Sequence, residues 1–151
     1  MKSLNILRKN ILEDKVFIDG DVILDLLLKR NHFYKAAVKL FTLIEEAKVI
    51  GYTSPLIIAD IYYIVTKLEN KKSAFEKIRL LRNLLGILEL NDKIIDMAIA
   101  RPYNDFEDSI EYHCAVEHGI NILITRNIKD YPKGDIDILE PVDYITMFNR
   151  I

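Results

Sequence analysis

A parallel α/β fold, with a central sheet of about five strands and helices on both of its faces, is what this sequence predicts. Short apolar runs without alternation, segments of helical period between them, and Gly, Pro or capping residues at several junctions carry that prediction. Strands apolar on both faces belong to sheets covered on both sides, and strand–helix alternation builds such sheets through right-handed crossovers.

Residues 16–19 read as the first strand, followed by a helical run over 22–28 that ends at Lys29-Arg30. The next segment, 33–48, repeats its apolar residues at Phe33, Ala36, Ala37, Leu40, Leu43, Ile44 and Ala47, which is helical spacing. A second strand occupies 49–52. Ser54 then caps a helix opening at Pro55 and running to about Leu68, because a hydroxyl suits the cap and proline the first helical position. After 69–72 another helix spans 73–85, and 86–90 is the third strand. Asn91 or Asp92 caps a helix to Arg101 that Pro102 breaks. A helix over 105–117 stops at Gly119, 121–125 is the fourth strand, 137–139 the fifth, and 141–150 a terminal helix.

At 151 residues the chain is expected to form a single domain over 1–151, with 1–14 as an N-terminal extension. Half the residues are hydrophobic and 29% are charged, a balance that excludes disorder. A net charge of -2 does not mark a basic nucleic-acid binder, although grouped carboxylates lower that number and a bound cation would offset them. The single Cys114 excludes an internal disulfide framework and fits a reducing cytoplasm. No apolar run approaches the ~20 residues needed to span a bilayer. The first segment, interrupted by Lys2, Arg8 and Lys9, is not expected to be a signal peptide.

Acidic residues stand where the elements meet. Asp19 closes the first strand, Asp60 lies early in the helix from Pro55, Asp108 opens another helix, and Asp130 follows the fourth strand. Carboxylates gathered together repel one another and are costly to bury unless something positive binds between them. A divalent cation preferring hard oxygen, Mg²⁺ or Mn²⁺, is the simplest such partner. Open α/β sheets bind ligands beyond the carboxyl ends of their strands, where Asp19, Asn127 and Asp130 fall. The pattern points to metal-dependent hydrolysis of phosphate esters. Each acid also has a structural role open to it. Asp19 suits an N-cap, Asp60 a salt bridge, and Asp105, Glu107 and Asp108 the first turn of a helix. Of these three, Asp108 faces inward, since Cys114 and Ala115 continue its face. Asp25, set between Leu24 and Leu26, either supports the site from behind or faces solvent.

Four segments together resemble the PIN-domain family, whose best-known members are VapC-type ribonuclease toxins. They are Val16-Phe17-Ile18-Asp19-Gly20-Asp21-Val22-Ile23-Leu24-Asp25-Leu26-Leu27, Ser54-Pro55-Leu56-Ile57-Ile58-Ala59-Asp60-Ile61-Tyr62-Tyr63, Asn104-Asp105-Phe106-Glu107-Asp108-Ser109-Ile110, and Thr125-Arg126-Asn127-Ile128-Lys129-Asp130-Tyr131. Their order and spacing match over about residues 15–145. The resemblance implies a doubly wound, three-layer α/β/α fold and cleavage of single-stranded RNA with Mg²⁺ or Mn²⁺. It makes Asp19, Asp60 and Asp108 the expected catalytic acids and places Asp19, Asp108 and Asp130 on the metal. Asp21, Asp25, Asp105, Glu107, Thr125 and Asn127 are expected to support them. An antitoxin protein and a second copy of the chain are the candidate protein partners. Two departures stand out. The first motif usually reads Asp-Thr-Asn or Asp-Ser-Asn but here is Asp19-Gly20-Asp21, and Asn127 replaces an acid that often follows Thr-Arg. Both predict slow turnover.

Other readings compete. A non-catalytic PIN-like binding module is the nearest. Asp19-Gly20-Asp21 also resembles the opening motif of haloacid-dehalogenase-type phosphatases, with Thr53 or Ser54 as the phosphate-binding hydroxyl. His113, Cys114 and His118 raise a zinc site, although Cys114 more simply packs as a small hydrophobe. Lys67, Lys71, Lys72, Lys77, Arg79 and Arg82 form either a solvated face or a track for a phosphate backbone. Tyr62, Tyr63 and Tyr131 are expected to pack rather than stack on bases.

Overall fold

The computed structural model describes residues 14–101 and 105–150. Pro102, Asn104 and all of the expected N-terminal extension except Asp14 lie outside the described residues. Five strands, β1 Lys15–Ile18, β2 Ile50–Thr53, β3 Leu85–Ile87, β4 Ile122–Ile124 and β5 Asp137–Leu139, form one parallel sheet in the order β3-β2-β1-β4-β5. In the central strand Val16, Phe17 and Ile18 have no exposed surface. Successive strand residues point to opposite faces, so both faces of the sheet are covered. Among the described residues seven α-helices provide that cover: α1 Gly20–Leu27, α2 Tyr34–Glu45, α3 Pro55–Leu68, α4 Lys71–Leu84, α5 Asp92–Ala100, α6 Phe106–Glu117 and α7 Pro141–Asn149. The result is the three-layer α/β/α fold that the alternation predicts.

From β1 the chain builds the sheet outward through β2 and β3, then crosses back so that β4 lies on the other side of β1. Val16 pairs with Gly51 on one side and Ile122 on the other, and Ile18 pairs with Ile124. Between the carboxyl ends of β1 and β4 the strand order reverses, which is where a crevice opens in such sheets. On the other side of β1, Gly51 lets β2 pack closely against β3 and α2. A Cβ on it would meet side-chain atoms of Leu85 and Ile44 at 2.6 and 2.7 Å.

Local chemistry sets the boundaries. Ser54 accepts from the Ile57 N–H at 3.2 Å and Pro55 opens α3, as predicted. Asn91, rather than Asp92, caps α5 by accepting from the Ile94 N–H. The helix expected from 73 begins at Lys71, because Asn70 accepts from the Ser73 N–H and serves as its cap. Likewise α4 runs straight into β3, with Leu85 ending one element and starting the other, so that strand begins one residue before the sequence suggests. Gly119 takes φ +69° after α6, a left-handed turn that glycine reaches without a Cβ clash.

Candidate active site

At the crevice lies a cleft of about 310 Å³ lined by Asp19, Asp21, Asp60, Asp105, Glu107, Asp108, Glu111 and Asp130, with Asn127 and Arg30. Acids from four separate stretches of chain thus face one space. A larger cavity of about 480 Å³ beside α5 and α6 touches Arg101, His113 and Lys133. It is not where the carboxylates meet.

Asp19 sits at the exit of β1 and caps α1. Its Oδ1 accepts from the Gly20 N–H at 2.7 Å, and its Oδ2 accepts from Thr125 Oγ1 and the Tyr131 hydroxyl, both at 2.9 Å. Thr125 follows β4, so the neighbouring strand orients the acid. The hydroxyl that the family carries after its first Asp is missing at Gly20, and Thr125 and Tyr131 supply hydroxyls to Asp19 from elsewhere. Burial pushes the Asp19 carboxyl upward, and these donors pull against it.

Asp21 stands in the first turn of α1. Its Oδ2 accepts from the Arg126 N–H at 3.0 Å, from Asn127 Nδ2 at 3.2 Å and from Thr125 Oγ1 at 3.4 Å. Its Oδ1 is buried without a partner. Burial, then the charge of Asp19, raises its pKa to about 6. Asn127 therefore bridges to an acid on α1.

Asp105 caps α6, accepting from the N–H groups of Glu107 and Asp108 at 2.8 and 3.3 Å. Asp108, half-buried, brings its Oδ1 to 3.4 Å from the Tyr131 hydroxyl. One phenol thus reaches Asp19 and Asp108 together. Burial, then the charges of Asp19, Asp105 and Asp130, pushes Asp108 up to about 7. Asp60 on α3 faces Glu107 across the cleft. Asp60 thus meets another acid and not the salt-bridge partner that the sequence predicts, and after burial it is the main reason that the Glu107 carboxyl is raised. Asp130 ends a short 3-10 turn, Ile128–Asp130, at the border of the cleft.

Glu111 and the Tyr131 hydroxyl are groups in contact with the cleft that the sequence does not single out. Glu111 is 2% exposed. Its Oε1 accepts from Ser54 Oγ at 2.8 Å, while Oε2 is buried with no partner. Burial dominates its rise to about 8. Its spacing of one helical turn from Asp108 was a legible signal. Tyr131 does pack in the core, as expected, but its hydroxyl also serves two cleft acids.

Asp25 does not reach the cleft. It is buried at 1% exposure and is paired with Arg126, through Nε at 2.6 Å and Nη2 at 3.1 Å. Arg126 lies over the Phe33 ring at 3.8 Å. Asp25 therefore anchors the turn that carries Thr125 and Asn127, which excludes the solvent-facing alternative. Thr53 and Ser54 are both committed, to Ile18 O and Glu111 respectively, so neither is free to bind phosphate as a dehalogenase-type site requires. Cys114 is buried, its thiol pushed up to about 12 by burial, and its sulfur lies 3.9 Å from His118 Nδ1. Lys77 pairs with Glu69 and Arg82 donates to Leu85 O, which accounts for part of the basic cluster locally.

The donor set fits a hard divalent cation in kind: carboxylate oxygens with two buried, unpartnered members, Asp21 Oδ1 and Glu111 Oε2. Among the described residues no three such side chains are already drawn together around one point. Asp19 and Asp108 instead share the Tyr131 hydroxyl.

The sequence profile of the PIN domain matches residues 15–129. Ribonuclease VapC1 of Aquifex aeolicus is 27% identical over 143 residues, covering 91% of this chain and 98% of its own. DNA-bound VapBC from Salmonella typhimurium superposes with a TM-score of 0.66 at 14% identity, over 85% of this chain and 98% of that one. VapC20 of Mycobacterium tuberculosis, a sarcin–ricin-loop-cleaving toxin, superposes with a TM-score of 0.60 at 13% identity, over 72% and 86%.

Proposed function

The chain belongs to the PIN-domain family, and on that premise we propose that its cleft hydrolyses phosphodiester bonds of single-stranded RNA with a bound Mg²⁺ or Mn²⁺. One observation carries most weight. Acids from separate stretches of chain line one cleft, and burial and mutual repulsion hold several of them above the ordinary carboxylate range. Such a cluster is poised to exchange protons for a cation.

A bound divalent cation neutralises charge on the attacked phosphate and acidifies the attacking water. Asp19 and Asp108 would hold it, with Asp130 and the unpartnered oxygens of Asp21 and Glu111 as further donors at the same cleft. Thr125 and Tyr131 fix the Asp19 carboxylate before any ligand arrives. Asp60 and Glu107 face each other at the cleft, and burial, then Asp60, holds the Glu107 carboxyl above its ordinary value. Asn127 and the Arg126 N–H keep Asp21 turned toward the β4 side of the cleft.

Native protein is expected to cut single-stranded RNA only with Mg²⁺ or Mn²⁺ present, and Asp19→Ala or Asp108→Ala to lower the rate by orders of magnitude. Cleavage by Asp19→Ala equal to that of native protein would expose a contaminating nuclease. Mn²⁺ binding without cleavage of any RNA would favour a non-catalytic module. The VapBC relatives support an antitoxin protein as a binding partner and a toxin role. A homodimer and a cytoplasmic location belong to the same proposal. Among the described residues no helix is long and apolar enough to cross a membrane.

A further inference from the structure

Arg30 is the only cation among the described residues that line the acidic cleft. Its backbone is fixed: the N–H donates to Asp25 O at 3.2 Å, and the carbonyl accepts from the N–H groups of Phe33 and Tyr34 at 3.3 and 2.9 Å. Lys29 before it adopts φ +50°, which turns the chain sharply after α1. The side chain is not fixed in the same way. Its contact with Asp25 is an ion pair at 3.7 Å, longer than a hydrogen bond, and Asp25 is already held by two nitrogens of Arg126. Among the described residues the Arg30 guanidinium donates no hydrogen bond, and its side chain is 37% exposed.

A guanidinium carries five donors in a planar fork that matches the oxygens of a phosphate. An anionic strand entering a cleft of carboxylates is repelled everywhere except at a bound cation and at this one side chain. Resting on the nuclease reading above, we propose that Arg30 positions the substrate by holding a backbone phosphate of the RNA strand next to the one attacked. It acts on placement of the strand, and the cleft acids act on the bond that breaks.

The test uses the full chain, a fluorescein-labelled single-stranded RNA oligonucleotide, and Ca²⁺ in place of Mg²⁺ for the binding arm. Arg30→Gln is expected to weaken binding about tenfold, the loss of one charge-assisted contact. The slope of log affinity against log salt should shrink by about 0.7, one phosphate contact on a single strand. With Mg²⁺ or Mn²⁺ present, KM should rise while kcat stays near native, and Mn²⁺ affinity should not fall. Arg30→Lys keeps the charge and is expected to recover most of the binding. Native-like affinity and salt slope in Arg30→Gln would overturn the assignment and leave Arg30 as a neighbour of Asp25 only. Equal losses in both variants, with lowered melting temperatures, would overturn it too, because the fold and not a contact would have been removed. Native protein that neither binds nor cuts RNA would remove the nuclease reading and this inference with it.

Discussion

Asp21, Asp108 and Glu111 show at the scale of single residues what the cleft demands. Their carboxyls are raised to about 6, 7 and 8, chiefly by burial and then by neighbouring acids. In the unfolded chain such groups titrate near 4. Between about pH 4 and pH 8 the folded state therefore binds more protons than the unfolded state, so stability is highest below the unfolded value and is lost as pH rises through the folded ones. The melting temperature of metal-free protein should fall from about pH 5 to pH 8, and Asp108→Asn or Glu111→Gln should flatten that decline and stabilise the apo protein at the upper end. A flat or rising profile for native protein would mean that the acids do not crowd one another. Substitution at Asp25 should act in the opposite direction, lowering stability. Its pair with Arg126 is buried on the acid's side, so Asp25→Ala leaves a guanidinium without its counter-ion and should cost about 3–5 kcal/mol in chemical denaturation. A loss under about 1 kcal/mol would place the pair among ordinary surface bridges.

Elements, and the caps between them, were the most legible part of the sequence. Ser54-Pro55, Asn91 and Gly119 announce their boundaries through chemistry that acts within a few residues. The start of α4 was less legible, because Asn70 followed by two lysines resembles a linker until the capping bond to Ser73 is seen. Ser54 has a second role that no local rule discloses. Besides capping α3 it donates to Glu111, which lies 57 residues away in sequence on α6. Ser54→Ala should therefore cost about 1–3 kcal/mol, more than an exposed cap such as Asn70→Ala at about 1 kcal/mol. Equal effects of the two substitutions would show that the Glu111 contact adds nothing to stability.

Across the whole molecule, the sheet order explains why the candidate site was partly readable. Asp19 and the Thr125-Arg126-Asn127 turn follow adjacent strands β1 and β4, so their meeting follows from the doubly wound topology alone. Asp60 and Asp108 sit on helices whose inner faces the apolar pattern discloses. Tyr131 and Arg30 required the packed fold, and only the helical spacing from Asp108 signalled Glu111. Glu111 sits in a helix of mixed polarity, Tyr131 looks like any core aromatic, and Arg30 reads as the polar end of a helix. The same topology makes one cation the natural partner of many acids, which calorimetric titration of Mn²⁺ into metal-free protein tests most directly. Native protein should bind Mn²⁺ more tightly at about pH 8 than at about pH 5, where protons compete for the same carboxylates, and Asp19→Asn and Asp108→Asn should each weaken binding by at least tenfold. Native protein that takes up no Mn²⁺ at either pH, or that binds it equally well with Asp19 and Asp108 replaced, would contradict the assignment of this cleft as a divalent-cation site.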